Sequence, residues 1–248
     1  SKCEHVPYEM VELPDGAMST RKGNIVLFSA LRRTLDEALR GGYFKRYIDA
    51  GQTSTAAQGA AEELQEDIES WTPRQLTQAI HEVSLGAIKY GMLARDVNQK
   101  IVFDMDAWVD FEGNTGPYLQ YVCARTASII RKGKARGLEL DRKRMGNKAD
   151  EILTMLEVCR KLEQPSERAL VLTLDALPDV VESCANKLRP APLCTYLFEL
   201  CKTYNRFQIE CHVLRSEGEL LQARLMLVHA TRKALEWGLS LLGIPAPE

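Results

Sequence analysis

The spacing of apolar positions changes near residue 28. Before it, Val6 to Leu13 and Ile25-Val-Leu-Phe28 are short runs of strand-type residues, and the polar loop Pro14-Asp-Gly-Ala-Met-Ser-Thr-Arg-Lys-Gly-Asn24 separates them. After it, Leu31, Leu35, Ala38 and Leu39 recur at the three-to-four spacing that lines one face of a helix, and Gly41-Gly42 ends the run. Thr72-Pro-Arg-Gln75 has the residues of a helix start. Thr72 can cap, Pro73 suits the first helical position, and Gln75 can close a capping box. Leu76, Ala79, Ile80, Val83, Ala87 and Ile88 continue that helix. Ile101-Val-Phe103 is a short extended piece, and Gly113-Asn114 is a turn before a long helix over 115–132. Helical patterns follow at 149–162, 166–188, 192–211 and 218–242, with breaks at Pro165, Pro190-Ala-Pro192 and Gly218.

The pattern predicts a mainly α protein whose C-terminal half is a helical bundle. The strands near the N-terminus are too few for a stable sheet of their own. They are expected to belong to a sheet whose other strands lie outside this chain. The chain opens at Ser1, without a methionine, almost directly into a strand-like run, which reads as part of a longer protein.

Composition adds boundaries. The chain has 248 residues with a formal net charge of −2, so any basic surface has to be local. Its seven cysteines are odd in number and include no CxxC pair, which reads as reduced, mostly buried thiols in a cytosol-like compartment. The four histidines are scattered, and no metal site is expected. No uninterrupted apolar run approaches membrane-spanning length, and no signal-peptide pattern is visible in these residues, so any targeting information is expected in the part of the protein before Ser1. Residues 49–70 carry acids and no lysine or arginine, as a solvated helix and loop would. Trp71, Trp108 and Trp237 are expected to be core anchors.

Two clusters suggest chemistry. In Ala17-Met-Ser-Thr-Arg-Lys-Gly23, Arg21 and Lys22 stand beside the hydroxyls of Ser19 and Thr20 between turn-forming glycines. Cations so placed stabilise the charge that builds on a leaving pyrophosphate; the same string also serves as an ordinary surface loop. On the 115–132 helix, Tyr118, Tyr121, Arg125, Ser128 and Lys132 are spaced by three, four, three and four, which puts them on one stripe. Aromatic rings stack on bases and cations meet phosphates, so the stripe suits RNA; tyrosines on helices also serve packing. From Gly113 to Lys148 nine basic residues stand against Glu139 and Asp141, which concentrates positive charge in one region of a negative chain.

Met18-Ser-Thr-Arg-Lys-Gly23 resembles the KMSKS loop of class I aminoacyl-tRNA synthetases in the form common in the arginyl branch. Phe111-Glu-Gly-Asn-Thr-Gly-Pro-Tyr-Leu-Gln-Tyr-Val-Cys-Ala-Arg125 resembles the opening of the helical, DALR-type anticodon-binding domain of arginyl-tRNA synthetases. Gly86-Ala-Ile-Lys-Tyr90, Ile101-Val-Phe-Asp104, Leu193 to Leu200, Tyr204-Asn-Arg-Phe207, Glu210 to Leu214 and Gly238 to Pro245 agree in the same order. The resemblance runs over 6–248.

The resemblance implies three parts: 1–28 as the end of a Rossmann-like catalytic domain with the KMSKS-type loop, 29–110 as a helical connecting region touching the tRNA stem, and 111–248 as the anticodon-binding bundle. It implies that Met18, Ser19, Arg21 and Lys22 close over ATP, with Mg2+ accompanying the nucleotide. Ala17 and Thr20 replace the motif's two lysines, so the first lysine's role falls to Lys22 or to a residue upstream. It implies that Tyr118, Tyr121 and Arg125 lie along the anticodon stem-loop of an arginine tRNA, with Asn114 holding the turn; Ser128 and Lys132 continue the same stripe and are expected to join them. Tyr204 and Phe207 share an apolar face with Leu200, which favours helix packing for that segment. The implied protein is a monomeric arginine–tRNA ligase, cytoplasmic or organellar, that makes arginyl-adenylate, with this portion inactive alone. A non-catalytic tRNA-binding paralogue and a protein–protein scaffold are the alternatives.

Overall fold

The computed structural model describes residues 3–6, 8–13, 16–17, 27–40, 72–110, 113–135 and 158–246. Strand β1 (Val11–Leu13) pairs antiparallel with β2 (Gly16–Ala17), with Glu12 opposite Ala17. On its other edge β1 pairs parallel with β3 (Ile101–Val102), with Val11 opposite Ile101. This corrects the sequence expectation, since one partner strand lies within the chain. Parallel pairing needs a long crossover, and the helices between residues 28 and 93 supply one, a relationship that no local pattern carries.

Helix α1 (Phe28–Ala38) begins earlier than expected. The Leu31 amide donates to the Leu27 carbonyl, so the helical ladder starts at Leu27 and takes in Phe28, which the sequence assigned to a strand. Ile25 and Val26 lie outside the described residues, as do the acidic stretch 49–70 and Trp71. Helix α2 (Pro73–Leu93) starts at the expected capping box. Thr72 Oγ1 accepts from the Gln75 amide at 3.4 Å, and Gln75 Oε1 accepts from the Thr72 amide at 2.9 Å.

Short helix α3 (Met105–Trp108) turns the chain into α4 (Gly116–Ala135). Thr115 Oγ1 accepts from the Tyr118 amide at 3.3 Å and satisfies one of the free donors at the start of α4. α2 and α4 cross at two glycines. A Cβ on Gly116 would sit 2.3 Å from the Gly86 carbonyl oxygen, so the crossing requires the bare backbone.

The expected helix over 166–188 is two helices, α5 (Pro165–Asp175) and α6 (Leu177–Lys187). Pro178 is the reason. It has no amide to donate to Leu174, and its ring collides with the preceding turn, so the chain breaks at Ala176 and restarts with the proline in the first turn. α7 (Ala191–Cys211) and α8 (Gly218–Leu241) match their expected positions.

Two apolar cores result among the described residues. Leu35, Leu39, Ile80, Val83, Ala87 and Trp108 form the smaller, with Phe103 edge-on to Trp108 at 4.6 Å. The larger lies among α4, α5, α7 and α8 and includes Leu119, Leu170, Leu197, Tyr204, Phe207 and Leu235. α2 serves both, because Tyr90 turns into the larger core while Ile80 and Ala87 face the smaller. Trp108 is buried as expected, whereas Trp237 is 46% exposed, which corrects its assignment as a core anchor. α8 buries its face of Leu235, Gly238 and Leu239, leaving Trp237 on the flank.

Candidate nucleic-acid interface

The 115–132 stripe lies on α4, but it is not one open face. Tyr118 and Ser128 are 9% and 8% exposed. The Tyr118 ring stands edge-on to Phe198 of α7 at 5.6 Å, and its hydroxyl accepts from Asn205 Nδ2 at 2.9 Å. Burial pushes the Tyr118 phenol up to about 12. Tyr121, Arg125 and Lys132 are half-buried, and Asn114 is exposed. Tyr121 packs against both cores. The three-four spacing fits this outcome as well as an RNA-facing one, because alternating threes and fours also mark the seam between two packed helices. α4 packs on α2, α7 and α8 at once, so part of its stripe closes against α7.

What stays accessible is an edge. Arg125 Nη1 donates to Asn205 Oδ1 at 3.5 Å, so one α7 amide touches both Tyr118 and Arg125. The final turns of α4 carry Arg131, Lys132 and Lys134, with Arg131 and Lys134 exposed. Cations there also complement the negative end of the helix dipole. The rest of the basic run, 136–148, lies outside the described residues.

Asn114 holds the turn into α4. The Tyr90 hydroxyl, with its single proton, faces two acceptors, Asn114 Oδ1 at 2.6 Å and the Cys194 carbonyl at 2.8 Å. Burial, with smaller effects of Cys194 and Cys201, pushes the Tyr90 phenol far above its ordinary range, so it stays a proton donor. One buried hydroxyl thereby joins α2, the α4 turn and α7.

Met18, Ser19, Arg21 and Lys22 lie outside the described residues. The strands before them are described, with Gly16 at φ 122° in the hairpin between β1 and β2.

Cys123, Cys194, Cys201 and Cys211 are buried and unbridged. Burial pushes the thiols of Cys123 and Cys194 up to about 12, which makes them poor nucleophiles. Tyr204 and Phe207 are fully buried, in line with the packing role expected for them. Asn205 lies in the segment expected to pack between helices, and Tyr90 in a string that carries the resemblance, but their contacts at this edge are not legible in the sequence. Each meets partners distant in sequence, 80 and 87 residues away for Asn205, so no local pattern marks them.

A family model described as the DALR anticodon binding domain matches residues 119–248. The arginine–tRNA ligase of Bdellovibrio bacteriovorus is 36% identical over 248 residues, covering 99% of this chain and 36% of that protein. That of Pyrococcus furiosus is 32% identical over 244 residues, covering 98% of this chain and 34% of that protein. Among solved structures, Thermus thermophilus arginyl-tRNA synthetase superposes with a TM-score of 0.67 at 28% identity, over 97% of this chain and 34% of that one. The chain spans about a third of the length of the curated relatives it matches.

Proposed function

The chain belongs to the DALR anticodon binding domain family, and from that premise we propose that it is the tRNA-binding portion of an arginine–tRNA ligase. The observation that carries this reading is the family match over α4 to α8, on a chain whose likeness to whole arginine–tRNA ligases extends through the N-terminal strands as well. In this reading the whole protein activates arginine with ATP, accompanied by Mg2+, to arginyl-adenylate and passes it to the terminal ribose of an arginine tRNA. Met18, Ser19, Arg21 and Lys22 would close on the triphosphate during activation. The protein would act as a cytoplasmic monomer without membrane contact.

The α4 edge would hold the tRNA. Tyr121 offers a ring for stacking, and Arg125 and Lys132 offer cations for phosphates. Arg131 and Lys134 extend the positive field at the helix end. Asn114 is exposed, and its Oδ1 sits against the Tyr90 hydroxyl, so its amide NH2 group is turned away from Tyr90 as an oriented donor. Tyr118 and Ser128 would support the edge from beneath.

The test is binding of an arginine tRNA transcript to the 248-residue chain across a salt series. Phosphate neutralisation requires log K to fall with log salt, with a slope of about −0.7 to −0.9 per phosphate engaged. Absence of binding at low salt would overturn the reading and favour a protein–protein scaffold.

A further inference from the structure

Arg125 differs from the other described arginines that are not exposed. Arg224 pairs with Glu167 and Arg232 with Glu236. Among the described residues no carboxylate lies within ion-pairing distance of Arg125, and the hydrogen-bond partner of its guanidinium is the neutral Asn205. The orientation of that amide follows from Arg125. A guanidinium only donates, so Oδ1 faces it at 3.5 Å, and Nδ2 is left to donate to the Tyr118 hydroxyl at 2.9 Å. Tyr118 is itself locked by burial and by Phe198. The chain of contacts runs from a fixed ring through an oriented amide to a half-buried cation.

We infer that Asn205 is a positioning residue for tRNA binding, holding the Arg125 guanidinium at the α4 edge without neutralising it. The inference rests on the reading of that edge as tRNA-binding. Chemistry distinguishes an amide from a carboxylate at this position. Aspartate has the same shape and could keep both contacts, accepting from Arg125 and from the Tyr118 hydroxyl. It would also form an ion pair, and a phosphate would then have to compete with a fixed internal anion. An amide orients the guanidinium and leaves its charge for a ligand.

The test compares Asn205→Ala, Asn205→Asp, Arg125→Ala and the double variant Asn205→Ala/Arg125→Ala in the 248-residue chain. The probe is an arginine tRNA transcript, with Kd measured across roughly 50 to 200 mM KCl. Thermal melts confirm that each variant is folded at the binding temperature, and the shape-matched aspartate keeps the test open if alanine unfolds the chain. Asn205→Ala should weaken binding several-fold with little change of salt slope, because the charge remains. Asn205→Asp should weaken it further and lower the slope by about one, as Arg125→Ala does. In the Arg125→Ala background, Asn205→Ala should add no further loss. If Arg125→Ala weakens binding but both Asn205 variants bind like the parent, or if the two losses add in full, the positioning role is overturned while the tRNA reading stands. If Arg125→Ala itself changes nothing, the tRNA reading of this edge fails along with it.

Discussion

Arg224 Nε donates to Glu167 Oε1 at 2.7 Å, in a site where the two side chains are 10% and 0% exposed. Arg224 Nη1 also donates to the Cys211 carbonyl at 2.5 Å and to Ser216 Oγ at 2.6 Å. Glu167 Oε2 accepts from the Gln164 amide at 2.9 Å, closing the start of α5. The pair ties the N-terminus of α5 to the end of α7 and the first turns of α8. Both Glu167 oxygens and the Nε and Nη1 of Arg224 have partners, and such hydrogen bonding is the condition under which a buried ion pair is tolerated.

Removing one partner strands the other. Arg224→Met should destabilise the chain by about 3–5 kcal/mol, because the Glu167 carboxylate would remain buried without its counter-charge. Urea denaturation followed by circular dichroism checks this. A loss below about 1 kcal/mol, the level of an exposed pair, would show that water already reaches the site.

The α2–α4 crossing makes a second prediction. Gly116→Ala places a methyl 2.3 Å from the Gly86 carbonyl oxygen, and backbone cannot swing aside as a side chain can. The helices must separate, with an expected loss of about 1–3 kcal/mol from overpacking. An alanine at Gly218, where φ is 58° and no atom would be met, should instead suffer only from backbone strain. Thermal melts of the two variants read the difference, and an undisturbed Gly116→Ala protein would contradict the close crossing.

Tyr118 and Tyr121 should part in their phenotypes. Tyr118→Ala removes a buried ring from the α4–α7 seam and should destabilise by about 3–5 kcal/mol. Tyr121→Ala should weaken tRNA binding by roughly 1–3 kcal/mol, the value of one stacked base. Pairing Tm with tRNA affinity for each variant separates them. A Tyr121→Ala chain that binds tRNA as the parent does would remove Tyr121 from the edge.

Alkaline pH should loosen the bundle. The thiols of Cys123 and Cys194 rise by burial from an ordinary value of 9.0 to about 12. The folded chain therefore favours their protonated form. Their contribution is fully present below pH 9.0 and is lost as pH climbs through the folded values near 12. Each group steepens the loss by at most about 1.4 kcal/mol per pH unit in that window. Denaturant midpoints measured from neutral to alkaline pH should stay level and then fall. A thiol-reactive dye at neutral pH should label exposed Cys3 well ahead of the buried thiols; rapid labelling of four or more sulfurs would contradict the burial.

Several features were legible along the chain because they depend on near neighbours. The Thr72–Gln75 capping box needs residues three apart. Helix starts at Pro165 and Gly218 depend on single residues that lack a donor or accept positive φ. The break at Pro178 follows from the same logic, although the apolar period runs unbroken through it. The family resemblance was legible too, since it rests on several short strings in a fixed order.

By itself, the sequence determined which of the long described segments are helical and where positive charge concentrates after Gly113, because each follows from spacing within a few turns. Tertiary structure alone decided which members of the α4 stripe are accessible. Spacing places Tyr118, Tyr121, Arg125, Ser128 and Lys132 on one side of a helix, but it cannot say that α7 covers part of that side. It also brought Asn205 to Tyr118 and Arg125, and β3 to β1, across 80 or more residues. Such pairings depend on packing between distant segments, and no local period encodes which segment arrives.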